Sequence, residues 1–158
     1  MIFVTVGAQM HFDRLVRAVD EWARERGRPD VFAQIGHAEY VPTYVEHTRL
    51  LEPPEFDRRY READVIVAHA GTGSILQAME LSKPILVMPR RAKLRETRND
   101  HQVATAERFA RLGIPVAWDE TELRAQLDGI DALVGQRRIG PDASEALLSR
   151  IRAFIASA

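Results

Sequence analysis

Short apolar runs alternate along this chain with segments whose apolar residues recur every three or four positions. Mostly apolar runs of four or five residues, each closed by glycine, histidine or proline, predict buried strands at 2–6, 31–35, 65–68 and 85–88. Two shorter strands are expected at 49–51 and 115–117, with a loop over 40–48. Helical spacing predicts helices over 12–26, 53–63, 74–81, 100–112, 120–127 and 144–155.

This alternation of strand and helix predicts an α/β fold with a doubly wound, Rossmann-like parallel sheet of about six strands. Ligands on such sheets bind beyond the carboxyl ends of the strands. The segments that should carry a site are therefore 7–11, 36–37, 69–74 and 89–99. No repeat and no linker divides the sequence, so residues 1–158 are expected to form a single domain.

Composition narrows the possible partners. The 158 residues carry a formal net charge of −1, which gives no general attraction to nucleic acid. The chain has no cysteine, which excludes disulfides and thiolate metal sites. It has no apolar run near the roughly 20 residues that span a bilayer, and its first residues lack the basic flank of a signal peptide. We therefore expect a cytoplasmic protein that meets a membrane only through a surface or a partner.

The segment His69-Ala70-Gly71-Thr72-Gly73-Ser74, called the glycine loop below, leaves a predicted strand and enters a predicted helix. Its glycines let a ligand approach main-chain N–H groups, and the helix start adds free donors and partial positive charge. These features predict a site for the diphosphate of a nucleotide. The alternative is a tight turn in which Ser74 caps the helix, since Ser74 and Gln77 have capping-box spacing.

Two large nucleotide-binding classes do not fit the glycine loop. It has no glycine-lysine-serine or glycine-lysine-threonine ending, which excludes a Walker loop. A dinucleotide fingerprint would need a small residue at Leu76 and an early place in the chain, whereas this loop follows the fourth predicted strand. A dehydrogenase is therefore not expected.

Several segments together resemble the C-terminal domain of family 28 glycosyltransferases. They are the glycine loop with Ile75-Leu76, the run Lys83-Pro84-Ile85-Leu86-Val87-Met88-Pro89-Arg90, and His101-Gln102 followed by Ala106-Glu107. The start, Ile2-Phe3-Val4-Thr5-Val6-Gly7 with Phe12-Asp13-Arg14-Leu15, is similar to the separate soluble subunits of two-part UDP-sugar transferases. Such subunits occur in chitobiosyldiphosphodolichol synthase and in bacterial capsule and exopolysaccharide transferases.

The resemblance implies one half of a GT-B fold and the role of donor-binding subunit in a UDP-sugar hexosyltransferase. A membrane-associated partner subunit would bind the acceptor, a lipid-linked saccharide, and the complex would build a surface polysaccharide. In the family, transfer inverts the anomeric centre and needs neither a metal nor a cofactor. The sequence agrees in part, because it has no D-x-D motif.

The resemblance also implies roles for the residues around the glycine loop. The loop from His69 to Ser74 would face the diphosphate and stabilise the leaving group. Gly7 would lie at the face shared with the partner and the acceptor. At the position of Gln77 the family has a glutamate that holds both ribose hydroxyls, so the charged contact is missing here.

Further roles fall on residues after the next strand. His101 and Gln102 would lie near the donor sugar and phosphates. Asn99 and Asp100 would bind sugar hydroxyls, or else only cap the helix that follows. Arg90 begins a segment with five basic residues and one acid, namely Arg90, Arg91, Lys93, Arg95, Arg98 and Glu96. This segment is either a solvated loop or a contact for pyrophosphate or anionic lipid.

The five histidines do not have the spacing of a zinc site. His11, close to Gly7, is a conceivable general base, but the base is expected on the acceptor-binding partner, so the catalytic residue stays open. In the last predicted helix, 144–155, an apolar stripe would pack on this domain or dock on the partner. The rival functions are a non-catalytic subunit that enhances a partner transferase, which Gln77 favours, and a nucleotide-sugar epimerase, which would need a second domain.

Overall fold

A computed structural model of the protein describes residues 1–136 and residue 149. The strands are β1 (Ile2–Thr5), β2 (Val31–Gln34), β3 (Glu46–Thr48), β4 (Val65–His69) and β5 (Ile85–Met88). They form one parallel sheet in the order β3-β2-β1-β4-β5. The predicted α/β class and the parallel sheet are therefore confirmed.

Helices follow most strands, as βαβ winding requires. They are α1 (Asp13–Arg26), α2 (Pro53–Glu62), α3 (Thr72–Glu80), α4 (His101–Arg111), α5 (Glu120–Asp128) and α6 (Ile130–Gln136). A short 3₁₀ helix spans Ala92–Leu94. The helix α6 and the 3₁₀ turn were not predicted, and the helix predicted at 144–155 lies outside the described residues. In the described part of the chain, no helix is long and apolar enough to cross a bilayer.

Both faces of the sheet are covered, because successive side chains of a strand point to opposite sides. Val4 packs on one side in a cluster with residues of α1, α5 and α6. Phe3 packs on the other side with residues of α2, α3 and α4, where its ring meets Tyr60 edge-on at 6.0 Å between centroids. This two-sided core is what a doubly wound sheet predicts.

The direction of winding reverses between β1 and β4. From β1 the chain proceeds outward to β2 and β3, and it then returns to β4 and proceeds outward to β5. The two central strands are paired in register, from Ile2 with Val65 to Thr5 with Ala68. The loops that follow β1 and β4 lead to helices on opposite faces of the sheet, α1 and α3. This switch point at the carboxyl edge is called the crevice below, and it is where such sheets bind ligands.

Two predicted strands were wrong in place or extent. The third strand is Glu46–Thr48, not 49–51, so part of the segment predicted as loop over 40–48 is strand. Asp20 accounts for this: it is buried, and its carboxylate accepts the N–H groups of Thr43, Tyr44 and Val45 at 2.8–3.0 Å. These bonds bring the chain to the sheet edge at Glu46.

The sixth predicted strand, at 115–117, is reduced to a single bridge between Val116 and Val87. Pro115 has no N–H to donate to a ladder. Asp119, immediately afterwards, already caps helix α5 by accepting the N–H of Glu122 at 2.9 Å. The chain therefore leaves the sheet after one pairing.

Candidate functional site

The crevice between β1 and β4 is built on an unusually close approach of backbone to a side chain. The His69 imidazole, at the end of β4, lies between Gly7 and Gly71. A Cβ atom placed on Gly7 would lie 2.9 Å from His69 Cε1, and one on Gly71 would lie 2.3 Å from His69 Nε2. Both positions thus require glycine for a steric reason, which neither strand pattern nor turn preference could reveal.

The same constraint extends to the next strand. Gly7 has a φ of +71°, and Gly36, after β2, has a φ of +54°. A Cβ on Gly36 would lie 2.7 Å from the carbonyl oxygen of Gly7. The loops that follow β2, β1 and β4 are therefore stacked on one another at the carboxyl edge, with the His69 ring between the last two.

His69 is held neutral by its surroundings. Burial, and after it the positive charge of Arg90, lower the pKa of its imidazole from the ordinary value of 6.5 to about 4. Its Nδ1 atom is buried and has no hydrogen-bond partner among the described residues. A neutral imidazole has one donor and one acceptor nitrogen and adds no charge to the site.

Helix α3 begins at the glycine loop with free donors. It starts at Thr72, with Gly71 in extended conformation before it, and no side chain caps it. Among the described residues no acceptor takes the N–H groups of Thr72, Gly73 or Ser74. The prediction that the helix begins at Ser74, and the alternative that Ser74 caps it, are wrong because Ser74 is already the third helical residue. The helix start is open, as an anion site requires.

Gln77 lies one turn further along α3 and contacts helix α2. Its Nε2 donates to Asp57 Oδ1 at 3.0 Å. Asp57 is exposed and belongs to a helix that sequence reasoning did not connect with the site. The amide at Gln77 is therefore paired with a carboxylate that this chain supplies from a different element.

Arg90 is a buried residue and not part of a solvated loop. Its side chain is 3% exposed, and its Nη2 donates to the carbonyls of Val6 at 2.7 Å and Met10 at 2.5 Å. Its guanidinium lies 5.2 Å from the centre of the Phe12 ring. Burial lowers the pKa of Arg90 to about 10. Arg90 thus anchors the loop after β1, and its predicted contact with the donor stays a prediction.

Residues at the start of α4 are tied to the same edge. Gln102 is buried, and its Oε1 accepts the N–H of Arg90 at 3.1 Å. The Asn99 side-chain oxygen accepts the N–H of His101 at 3.2 Å and also contacts the His101 ring. Asp100 accepts the N–H of Ala92 at 2.8 Å. The Asn99 oxygen therefore meets the first N–H of α4, while the N-cap residue Asp100 makes no side-chain cap hydrogen bond. Asn99, Asp100 and His101 are exposed, and Gln102 is the buried member of the group.

A buried ion pair supports this edge and was missed by sequence reasoning. The Arg14 guanidinium donates to both carboxylate oxygens of Glu96, at 2.8 and 3.0 Å, and to the carbonyl of Pro89 at 3.1 Å. Glu96 also accepts the N–H of Arg91 at 2.9 Å. Glu96, the one acid inside a basic segment, was the signal in the sequence that could have indicated an ion pair. Its partner Arg14 could not be inferred, because it lies in the distant helix α1.

His11 lies beside a cavity of about 390 Å³ at the start of α1, which also has Asp13, Arg17 and Arg124 in its lining. His11 Nδ1 is 3.3 Å from Asp13 Oδ2. The structure does not place His11 against the His69 ring, so the catalytic residue stays open. Among the described residues no cluster of three or more histidine, cysteine, aspartate or glutamate side chains suits a metal ion.

Residues 1–134 match the family model described as the glycosyltransferase family 28 C-terminal domain. The chain belongs to this family. The match covers the glycine loop and every element from β1 to α5, so the resemblance seen in the sequence motifs is confirmed.

Curated relatives match over shorter stretches. The chain is 36% identical over 63 residues to the UDP-N-acetylglucosamine transferase subunit ALG13 of Candida glabrata, which spans 40% of this chain and 30% of that protein. It is 45% identical over 51 residues to the subunit of the same name from Eremothecium gossypii, spanning 32% of this chain and 23% of that protein. The matched stretch is therefore less than a third of either relative.

Solved structures share the fold of this family member. A solution structure of ALG13 superimposes with a TM-score of 0.56 at 22% identity, over 81% of this chain and 83% of that one. The calicheamicin glycosyltransferase CalG4 gives 0.59 at 21% identity, over 95% of this chain and 43% of that one. The glycosyltransferase of kitacinnamycin gives 0.55 at 25% identity, over 89% and 35%. The chain thus corresponds to one half of a GT-B fold, as predicted.

The packing of His69 against Gly71 predicts a rescue between two substitutions. Gly71→Ala should lower the free energy of unfolding by about 1–3 kcal/mol, because the added methyl overlaps the imidazole. In a His69→Ala background the same substitution should cost little, since the overlapping atoms are gone. Gly73→Ala is the matched control: nothing lies within 4 Å of its Cβ position, and it should stabilise helix α3 by up to about 1 kcal/mol. Denaturant unfolding measures all four variants, and equal costs of Gly71→Ala in both backgrounds would contradict the packing.

The lowered pKa of His69 predicts a pH dependence of stability. Its folded pKa of about 4 lies below the ordinary value of 6.5, so between these values the unfolded chain binds a proton that the folded chain does not. Stability should therefore fall as the pH drops from about 6.5 to about 4, with a slope of up to about 1.4 kcal/mol per pH unit. His69→Gln should lose this component. NMR titration of the ring, assigned with that variant, checks the value, and a midpoint above pH 6 would contradict it.

Proposed function

We propose that this chain is the donor-binding subunit of an inverting, metal-independent UDP-sugar glycosyltransferase. It would act with a membrane-associated subunit that binds a lipid-linked saccharide, in the synthesis of a surface polysaccharide. The observation that carries the proposal is the open N-terminus of α3 beside His69, in the crevice where the winding of the sheet reverses. Membership of a glycosyltransferase family and the partial likeness to ALG13 subunits support the class of reaction and of partner.

The diphosphate of the donor would lie at the start of α3. There the N–H groups of Thr72, Gly73 and Ser74 have no acceptor in the described part of the chain, and the helix dipole favours negative charge. In sugar transfer the bond from the anomeric carbon to the diphosphate breaks, and the leaving nucleoside diphosphate gains negative charge. Fixed N–H donors stabilise that charge without reorganising during the reaction.

His69 and the buried Arg90 would define the floor of the diphosphate site. His69 is neutral at physiological pH, so it would contribute a hydrogen bond and shape. Arg90 would add a fixed positive charge from below, because its Nη2 is held by the carbonyls of Val6 and Met10. Near a low-dielectric interior such a charge acts on an anion more strongly than in water.

Asp57 would supply the carboxylate that is missing at Gln77. The two side chains are hydrogen-bonded at 3.0 Å, so an amide and a carboxylate stand together where the family has a single glutamate. Asp57 has a further carboxylate oxygen that can accept from a ribose hydroxyl. The pair would thus hold the ribose with residues from two helices.

The second candidate function is a non-catalytic subunit that enhances a partner transferase. The pairing of Gln77 with Asp57 favours it, if that pair serves only to join α3 to α2. The two functions differ in one measurable property, since only a donor-binding subunit binds UDP and UDP-sugars. His11 and the partner remain the two proposed locations of the general base, with the partner preferred.

Calorimetry with UDP tests the diphosphate site directly. Thr72→Pro removes one N–H from the first helical position, where proline is tolerated and the preceding extended Gly71 accommodates it. We expect UDP affinity to fall by about tenfold or more, the value of a hydrogen bond to a charged group, with unfolding little changed. Thr72→Ala keeps the N–H and is the matched control. Equal UDP affinities of Thr72→Pro and Thr72→Ala would show that this N–H group does not contact the diphosphate. If the chain binds neither UDP nor UDP-sugars, with or without the partner, the enhancer function is favoured.

A swap of the amide and the carboxylate tests the ribose assignment. Asp57→Asn should weaken UDP binding by about fivefold, because a charged hydrogen bond becomes neutral. Asp57→Asn combined with Gln77→Glu restores the family's glutamate and keeps the pair, so UDP affinity should return to at least that of the parent chain. The exposed Asp64→Asn is the control, and dideoxy-UDP, which lacks both ribose hydroxyls, should show no difference among the variants. Unchanged UDP affinity in Asp57→Asn would limit the pair to a structural role.

A further inference from the structure

Four residues of the segment 93–98 share an exposed surface of mixed apolar and basic composition, called the 93–98 surface below. Lys93, Leu94, Arg95 and Arg98 are all exposed, and the Leu94 side chain has 46% of its surface in solvent. Leu94 lies among three basic residues, so apolar and positively charged side chains share one exposed surface. This segment follows β5, so it lies at the same edge of the sheet as the glycine loop.

The acid of the segment does not reach this surface. Glu96 is 4% exposed and is held in the bidentate pair with Arg14, at 2.8 and 3.0 Å. Its burial separates the segment into an inner acid and outer cations. The sequence places one acid among five basic residues, and the structure removes that acid from the exposed surface.

Other carboxylates near the segment are also engaged. Glu120 pairs with Arg14 at 3.4 Å, Glu122 accepts the N–H of Trp118 at 2.9 Å, and Asp100 accepts the N–H of Ala92 at 2.8 Å. Asp13 and Glu21, across the neighbouring cavity, contact His11 and Arg124. Within the described residues, no carboxylate is paired with the outer cations Lys93, Arg95 or Arg98.

The backbone presents these side chains in a fixed arrangement. A 3₁₀ turn places Leu94 at its end, with the N–H of Leu94 bound to the Arg91 carbonyl at 3.1 Å. The Arg91 side chain is bound in turn to the carbonyl of Trp118 at 2.8 Å. Because the turn is already ordered, docking would cost little conformational entropy.

From this arrangement we infer that the 93–98 surface docks directly on an anionic lipid bilayer. The three cations meet lipid phosphates, and Leu94 enters the boundary between headgroups and acyl chains. This contact belongs to the chain itself and is separate from the proposed recruitment by a partner subunit. It would hold the carboxyl edge of the sheet, with the glycine loop, close to the membrane surface where a lipid-linked acceptor lies.

Vesicle co-sedimentation of the full chain tests this surface. The probes are vesicles of phosphatidylcholine alone and of an equimolar mixture with phosphatidylglycerol, at low and high salt. A loop variant combines Lys93→Gln, Leu94→Ser, Arg95→Gln and Arg98→Gln. A matched control combines Arg24→Gln, Arg61→Gln, Arg111→Gln and Leu112→Ser. It removes three positive charges and one leucine, 50% exposed, from other parts of the surface.

The full chain should bind the anionic vesicles, more weakly at high salt, and should not bind phosphatidylcholine. The loop variant should lose at least about tenfold in affinity, since each basic residue near an anionic surface contributes on the order of fivefold, while the control stays near the parent. Equal losses in the two variants, or no vesicle binding by the full chain, would overturn the inference. In Leu94→Trp, which keeps the charges, the tryptophan emission should shift to shorter wavelength on anionic vesicles by more than it does in the parent chain. The absence of this additional shift would also count against the inference.

UDP calorimetry on the same samples keeps this test apart from the proposed function. The loop variant should bind UDP like the parent chain. Loss of UDP binding with vesicle binding retained would assign the segment to the donor diphosphate and overturn the membrane contact. Absence of UDP binding in the parent chain would refute the donor site alone and leave the vesicle result standing.

Discussion

The His69 imidazole packs between Gly7 and Gly71, and the arrangement of the whole carboxyl edge depends on that contact. Each glycine approaches the ring so closely that a single methyl group would overlap it. The loops after the two central strands are therefore held together through one side chain. Because Gly36 in turn lies against the backbone of Gly7, the loop after β2 is fixed by the same contact.

This packing has an electrostatic consequence for the crevice. The ring is neutral because it is buried, and Arg90 beneath it donates to main-chain carbonyls. The carboxylate nearest in sequence, Glu96, is shared with Arg14 and the Arg91 N–H. The N-terminus of α3 adds uncapped N–H groups to this positive environment. The uncapped N–H groups and the positive charge at this edge thus both favour a bound anion.

Family membership gives these features a common chemical meaning. The chain is a family 28 C-terminal domain with the fold of one half of a GT-B enzyme. Its open helix start at the carboxyl edge has the unpaired N–H groups that an anion site requires. The departure at Gln77 is less isolated than it is in the sequence, because Asp57 lies against it. In the proposed ribose site, Asp57 thus places a carboxylate beside the amide of Gln77.

The sequence by itself determined the strands of the sheet centre, the parallel winding, the glycine loop and the family, because apolar periodicity and contiguous motifs are local properties. It misplaced the third strand, which Asp20 positions through hydrogen bonds to residues 43–45. Only the tertiary structure decided that Arg90 and Glu96 are buried and that Asp57 meets Gln77. Each of these contacts joins elements far apart in the chain, and no local pattern encodes which distant partner a charged side chain will find.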